Sequence, residues 1–120
     1  DPWPLNCFAI KAGIELLTNK KLYEQWTRKI HNWINIERKR VFEKLSKIEN
    51  LKVHNSSTNF FLIESKKSLS PNIKYLENRG ILIRECTSFR FLDEKWARIS
   101  LQSRENNSLL CKEIQNSFKK

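Results

Sequence analysis

The feature that most constrains the fold of this chain is the spacing of apolar residues between positions 20 and 48. They recur at intervals of three, four and seven residues, which is the period of an α-helix with one apolar face. We therefore predict one amphipathic helix over residues 20–48, roughly 40 Å long at 1.5 Å per residue. A helix of this length usually connects two bodies or packs along a sheet. Its apolar stripe comprises Leu22, Trp26, Ile30, Trp33, Ile34, Val41, Leu45 and Ile48.

A shorter helix is predicted before the long one. Pro2 and Pro4 keep the first residues extended, and the side chain of Asn6 can then cap the helix that follows. Its apolar positions give a modest helical stripe that ends near residues 18–19. The first 48 residues are therefore expected to be mostly helical.

The pattern changes after residue 50, where short runs of β-branched and aromatic residues are separated by turn residues. The predicted order is α-α-β-β-α-β-β-α with short connections. This order favours an α+β fold with a three- to four-stranded, mostly antiparallel sheet covered on one face by helices. The predicted strands are 51–54, 58–63, 81–84 and 96–101, and the predicted helices run from Ser70 (as N-cap, before Pro71) to Gly80 and from Ser103 to about Phe118.

Composition narrows the class of protein further. The chain has 120 residues, enough for one domain, and no run of 18 apolar residues that could cross a membrane. Two glycines are too few for a glycine-rich phosphate loop. Three cysteines without C-x-x-C spacing suggest a reducing, cytoplasmic setting. The chain has no Met, so we expect it to be a piece of a larger protein.

The positive charge allows two interpretations. The net charge is +10, and residues 20–52 carry ten basic against four acidic side chains. Such a segment can be an electrostatic footprint for nucleic acid or an ordinary solvated helix face. We favour the solvated face, so nucleic acid is not the expected partner. A small basic nucleic-acid-binding α+β domain remains the alternative, as does an interaction domain that uses the Trp26 and Trp33 stripe.

Two arginines in predicted strands are candidates for binding an anion. Arg84 ends the strand at 81–84, and Arg98 lies inside the strand at 96–101. A guanidinium in a strand is unfavourable unless something pairs with it, and its planar fork fits a carboxylate or phosphate. The residues alone leave two possibilities open: an anionic ligand, or strand-edge arginines in water or paired with acidic neighbours such as Glu85 or Glu94.

Other reactive side chains give weaker signals. His31 and His54 have no partners at metal-ligand spacing, so no metal site is predicted. Cys86 follows Arg84, and a nearby cation could lower its pKa, but a packed thiol is the expected state. No nucleophile and base arrangement can be argued from the sequence, and no catalytic residue is assigned.

Four segments, in the right order, resemble the C-terminal part of fold-type I pyridoxal-phosphate (PLP) enzymes. The resemblance is greatest to the threonine-phosphate decarboxylases of cobalamin biosynthesis and to the histidinol-phosphate aminotransferases. The segments are 2–6 (P-W-P-L-N), 56–62 (S-S-T-N-F-F-L), 79–89 (R-G-I-L-I-R-E-C-T-S-F) and 96–101 (W-A-R-I-S-L), followed by an E-N helix start at 105–106.

The resemblance implies a domain organisation and a cofactor. Residues 1–19 would be a leading segment with the first helix, and residues 20–120 would be the C-terminal small domain of aminotransferase type. The large domain, which would hold most of the PLP and the Schiff-base lysine, would be missing. This chain would therefore contain no cofactor-binding residue and be inactive alone. Its parent would be a cytoplasmic, homodimeric decarboxylase or aminotransferase.

The resemblance also implies roles for individual residues. Arg98 matches the family arginine that binds the substrate carboxylate or an equivalent anion. Arg84 matches the arginine that helps to hold the phosphate end of phosphorylated substrates. Asn6 and Asn59 match motif positions too, and we expect them only to order the backbone.

Overall fold

The helices and strands follow the predicted order α-α-β-β-α-β-β-α in this computed structural model, which describes residues 6–119. The extended start predicted at Pro2 and Pro4 lies outside the described residues, as does the first resemblance motif up to Leu5. The elements are α1 (Cys7–Thr18), α2 (Lys20–Leu45), β1 (Leu51–Val53), β2 (Phe60–Ser65), α3 (Ser70–Glu77), β3 (Arg84–Glu85), β4 (Trp96–Ser100) and α4 (Arg104–Phe118).

The chain divides into two compact units, of which the first ends at Trp33 and the second begins at Ile34. The sequence-based division after residue 19 stays a prediction. In the first unit, the Asn6 side chain accepts a hydrogen bond from the backbone N–H of Ala9 at 2.8 Å, which confirms the predicted cap. Asn19 caps the start of α2 in the same way, through the N–H of Leu22 at 3.1 Å.

Large apolar side chains of the first unit are exposed. No residue of α1 is buried, and Phe8 keeps 81% of its surface in solvent. Trp26 is 55% exposed and Trp33 is 39% exposed. A core role for these two tryptophans is therefore wrong within the described chain, and their role as an interface stays a prediction. None of the described helices combines the length and the apolar character that a bilayer crossing requires.

The second unit contains a four-stranded sheet with strand order β1-β2-β4-β3 and antiparallel pairing throughout. This confirms the predicted α+β architecture. Side chains alternate along β2, so that Phe61 and Ile63 are buried while Phe60 and Leu62 are not. The buried face packs with the apolar sides of α2, α3 and α4. Core residues from these helices include Val41, Leu45, Ile73, Leu76, Leu110 and Ile114.

The predicted strand over residues 81–84 is wrong in its extent, because only Arg84 and Glu85 pair with β4. The reason is the end of α3. Gly80 has φ +71, and the N–H of Ile81 donates to the carbonyl of Leu76 at 3.0 Å. This 6→1 bond closes a Schellman motif. It ties Ile81 to the helix and keeps the following residues from pairing with β4.

Other element boundaries also differ from the prediction. Ser70 is the first residue of α3 and not its cap, because the N–H of Ile73 already bonds to the carbonyl of Leu69 at 2.8 Å. Helix α2 ends at Leu45, since the N–H of Ile48 turns back to the carbonyl of Leu45 in a tighter i−3 bond. Strand β2 begins later than predicted, because hydroxyl hydrogen bonds at Thr58 extend the preceding turn.

A buried carboxylate joins α2 to α4. Glu37 is only 2% exposed. It accepts hydrogen bonds from the Arg40 guanidinium, the shortest at 2.6 Å, and from the Asn107 side-chain amide at 3.0 Å. The hydrogen bond from Arg40 holds the pKa of Glu37 below its ordinary value of 4.5, although burial acts in the opposite direction. The carboxylate is therefore charged and fully partnered.

Asn107 extends this cluster to the backbone. Its side-chain oxygen accepts from the N–H of Gln102 at 2.8 Å, and its amide donates to the Gln102 carbonyl at 3.0 Å. It is completely buried. The predicted cap at Ser103 is confirmed beside it, with the N–H of Asn106 as donor at 3.3 Å. The chain leaving β4 is thus held at two successive residues.

Replacing Glu37 by Ala is expected to lower the free energy of unfolding by about 3–5 kcal/mol, because the change leaves Arg40 and Asn107 without their buried partner. The matched control is Glu43→Ala, an exposed acid on the same helix, which should change stability by no more than about 0.5 kcal/mol. Urea unfolding followed by tryptophan fluorescence measures both. Equal stability of the two variants would show that the cluster does not stabilise the fold.

The same carboxylate predicts how stability depends on pH. The folded pKa of Glu37 is lowered, so its contribution is complete above the ordinary value of 4.5 and is lost as the pH falls through the folded value. Urea midpoints measured between about pH 7 and pH 3 should fall on acidification, and less steeply in Glu37→Gln. An identical acid dependence in wild type and variant would contradict this assignment.

Candidate anion-binding site

The face of the sheet opposite the core carries the two arginines that the sequence analysis identified. Arg84 and Arg98 are directly opposite each other in the register of β3 and β4, so their side chains lie on the same face. Two like charges at such a position destabilise a sheet. Within residues 6–119, no carboxylate lies within 4 Å of either guanidinium, so the suggested pairing with Glu85 or Glu94 does not occur. The pair is therefore suited to an anionic ligand.

Aromatic rings orient both guanidinium groups. The Cζ atom of Arg98 lies 4.9 Å from the centre of the Phe60 ring, and that of Arg84 lies 4.9 Å from the centre of the Phe89 ring. Contacts of this kind attract a cation to the ring face and leave its edges able to donate hydrogen bonds. The guanidinium of Arg98 therefore lies toward β2, which carries Phe60, and that of Arg84 lies toward the loop after β3, which carries Phe89.

A cavity of about 300 Å³ lies over this face beside Arg98. Its volume is at the lower end of the range for small-molecule sites. Its walls combine aromatic and apolar side chains with few polar groups, which is typical of a site that orients a small polar ligand. Lining residues include His54, Ser56, Phe60, Cys86, Phe89 and Arg98.

Strand pairing places His54 in the same transverse row as the arginines. The N–H of His54 donates to the carbonyl of Leu62 at 2.9 Å, Leu62 is opposite Arg98, and Arg98 is opposite Arg84. The sequence analysis considered His54 only as a metal ligand and missed this position. The alternation of apolar and polar residues along β1 and β2 is the signal that could have placed it on the open face.

The ring of His54 is held by two neighbours. Its Nε2 atom lies 2.9 Å from Oε2 of Glu64, and its centre lies 5.0 Å from the ring centre of Trp96. Lys52 contacts the same carboxylate at 3.2 Å. The hydrogen bond with His54, supported by Lys52, lowers the pKa of Glu64. Glu64 is therefore a charged acceptor beside the ring.

The expected packed state of Cys86 is confirmed, since only 1% of its surface is exposed. Its thiol contacts the carbonyl of Arg84 at 3.7 Å. Burial raises the pKa of the thiol, and the opposing influence of Arg98 and Arg84 does not reverse the shift. Cys86 is thus a wall of the cavity and not a reactive thiolate.

The two asparagines in the resemblance motifs contact the backbone. Asn6 caps α1 through its side chain, and the carbonyl of Asn59 accepts from the N–H of Leu101 at 2.7 Å, next to the β2–β4 pairing. Among the residues that the structure describes, no three His, Cys, Asp or Glu side chains form a group that could hold a metal ion.

Comparison with known proteins finds similar sequences and structures, although no family model matches the chain. The chain is 30% identical over 100 residues to a histidinol-phosphate aminotransferase of Methanosphaera stadtmanae, a match that covers 81% of this chain and 26% of that protein. It superposes on a histidinol-phosphate aminotransferase of Clostridium acetobutylicum with a TM-score of 0.82 and 29% identity, over 99% of this chain and 35% of the other.

A decarboxylase is similar to the same degree. The L-threonine-O-3-phosphate decarboxylase of Porphyromonas gingivalis superposes with a TM-score of 0.76 and 30% identity, and the match covers 97% of this chain and 35% of the other. The chain therefore spans about a third of the length of these solved structures. The likeness extends over nearly the whole described chain.

The cysteines are predicted to differ in reactivity. Cys7 is exposed, whereas Cys86 and Cys111 are buried, and burial raises the pKa of both buried thiols. Iodoacetamide near neutral pH should therefore modify Cys7 first and the other two only after denaturation, as measured by peptide mass spectrometry. Rapid modification of Cys86 in the folded chain would contradict the packed thiol.

Proposed function

We propose that this chain, which is homologous to the threonine-phosphate decarboxylases and the histidinol-phosphate aminotransferases, is the C-terminal small domain of a PLP-dependent enzyme that acts on a phosphorylated amino acid. The observation that carries the proposal is the Arg84 and Arg98 pair on the open face of the sheet, which has no carboxylate partner within the part of the chain that the structure describes. The fold alone would not specify a substrate, because one fold hosts many functions.

The two arginines have different surroundings, which supports different roles. Arg98 is partly buried and lines the cavity, so its fork is suited to a carboxylate held in two parallel hydrogen bonds. Arg84 is exposed on the edge strand β3, where it can reach the more distant phosphate of the same substrate. Both roles match those that the resemblance assigns to these positions.

The lining of the Arg98 cavity does not fit the cofactor itself. PLP enzymes hold the cofactor on a lysine, and the lining of the Arg98 cavity includes no lysine among the residues that the structure describes. The cofactor, which supplies the electron sink for the reaction, is therefore assigned to the part of the enzyme outside this chain. We accordingly propose that the chain alone is inactive.

The contribution of this chain is substrate orientation. Two hydrogen bonds from one planar guanidinium fix both the position and the plane of a carboxylate. Holding the substrate in one orientation accounts for a large part of the rate in many enzymes.

We place the parent enzyme in the cytoplasm as a homodimer, and we assign the exposed apolar side chains of the first unit, such as Phe8 and Trp26, to contact with its large domain.

The visible spectrum of the full-length protein, produced with added PLP, tests the proposed class. A Schiff-base absorption band that borohydride converts into a stable pyridoxyl adduct is expected. O-Phosphothreonine and histidinol phosphate can then be compared for release of carbon dioxide and for amino transfer. Absence of any Schiff-base band would contradict the proposal.

Replacing Arg98 by Ala in the full-length enzyme is expected to raise KM and to lower kcat/KM by about 2–4 kcal/mol equivalent, because a buried charge-assisted contact to the substrate is lost. This corresponds to roughly 30- to 900-fold. The control is Arg79→Ala, since Arg79 ion-pairs with Glu113 outside the anion cavity and its loss should leave kcat/KM unchanged. An unchanged kcat/KM in the Arg98 variant would overturn its role.

A further inference from the structure

His54 and Arg98 line the same cavity from two sides. They belong to one transverse row and are separated by Leu62 on β2. Neighbouring strands are about 4.8 Å apart, so their Cα atoms lie roughly 10 Å from each other. The guanidinium of Arg98 leans over Phe60, which is also on β2, and therefore toward the side on which His54 lies. A small anion between them can be reached by both side chains.

Glu64 determines which nitrogen of His54 carries a proton. The lowered pKa of Glu64 keeps it ionised, and an ionised carboxylate only accepts hydrogen bonds. Its contact at 2.9 Å therefore requires Nε2 of His54 to be the donor. In the neutral ring Nδ1 is then an acceptor with a lone pair, and only the protonated ring has an N–H at Nδ1. Within the described residues, Nδ1 has no hydrogen-bond partner.

We propose that His54 makes anion binding in this cavity depend on pH: protonated, it donates from Nδ1 to the anionic group that Arg98 holds, and neutral, it presents a lone pair that disfavours the same anion. This inference rests on the proposed function of Arg98. It adds a residue that determines affinity for the charged end of the substrate, and it assigns that residue to a position outside the resemblance motifs.

The other charged and titratable groups around His54 keep their charge while the histidine ring gains or loses a proton. Lys52 and Glu64 form an ion pair at 3.2 Å and offset each other. Arg98 keeps its charge at any physiological pH. The Cys86 thiol stays protonated, because burial raises its pKa. Protonation of His54 therefore adds one positive charge next to the anion.

Binding of inorganic sulfate tests the inference, because sulfate keeps its double charge over the range in which histidine titrates, whereas phosphate does not. We would titrate the chain with sodium sulfate at constant ionic strength, near pH 5.5 and near pH 8, and follow the Trp96 indole and Arg98 side-chain NMR signals. Affinity should be at least about fivefold higher near pH 5.5. His54→Gln should remove this difference, and the control His31→Gln, on α2, should keep it.

A second readout uses the wild-type chain and needs no variant. Because coupling between two ligands is reciprocal, sulfate must raise the midpoint of the His54 ring titration by the same factor by which protonation tightens sulfate binding. The titration of His31 should not move. Equal sulfate affinity at both pH values would overturn the role of His54 and leave the arginine site intact. No sulfate binding at either pH, with Arg98→Ala indistinguishable from wild type, would overturn the anion site itself.

Discussion

The buried contact among Glu37, Arg40 and Asn107 is the interaction on which the second unit depends. It brings together α2 and α4, which are about 70 positions apart in the chain, as the separation of Glu37 and Asn107 shows. Burying a charge is unfavourable unless every lone pair is satisfied, and here the carboxylate has partners on two helices. Because Asn107 also forms hydrogen bonds with both backbone groups of Gln102, the path of the chain after β4 is fixed. The chain that leaves the strand carrying Arg98 is thereby tied to α4.

The same alternation of side chains produces both the core and the candidate site. One face of β2 and β4 carries Phe61, Ile63 and Ile99 into the apolar core, and the other carries Arg98. The two faces have opposite effects on the stability of the fold. The core face buries apolar side chains against the helices, while the open face places Arg84 opposite Arg98 with no carboxylate within 4 Å of either guanidinium among residues 6–119. Residual destabilisation at a functional site, offset by the rest of the fold, is a common arrangement in proteins.

Local sequence patterns predicted the helices and the architecture. The features that they missed depend on contacts between residues that are further apart in the sequence. The spacing of apolar residues predicted α2, and the Asn6 and Ser103 caps are confirmed because capping involves neighbours in sequence. The strand at 81–84 was predicted too long, since apolar residues there favour a strand while the Schellman motif at Gly80 fixes a different path. Arg84 and Arg98 were identified as candidates from the residues and the resemblance, but their exact juxtaposition follows from strand register. His54 was missed because its partner Glu64 lies 10 residues away, and the buried site of Glu37 was missed because Asn107, which completes it, lies 70 residues away.

The central claim is that this face of the sheet holds the anionic groups of a phosphorylated amino acid. A crystal structure of the full-length protein with O-phosphothreonine tests it most directly. The account predicts that the carboxylate lies within hydrogen-bond distance of Arg98, at about 2.7–2.9 Å, and that the phosphate lies beside Arg84. A ligand bound with both anionic groups away from these two arginines would contradict the account.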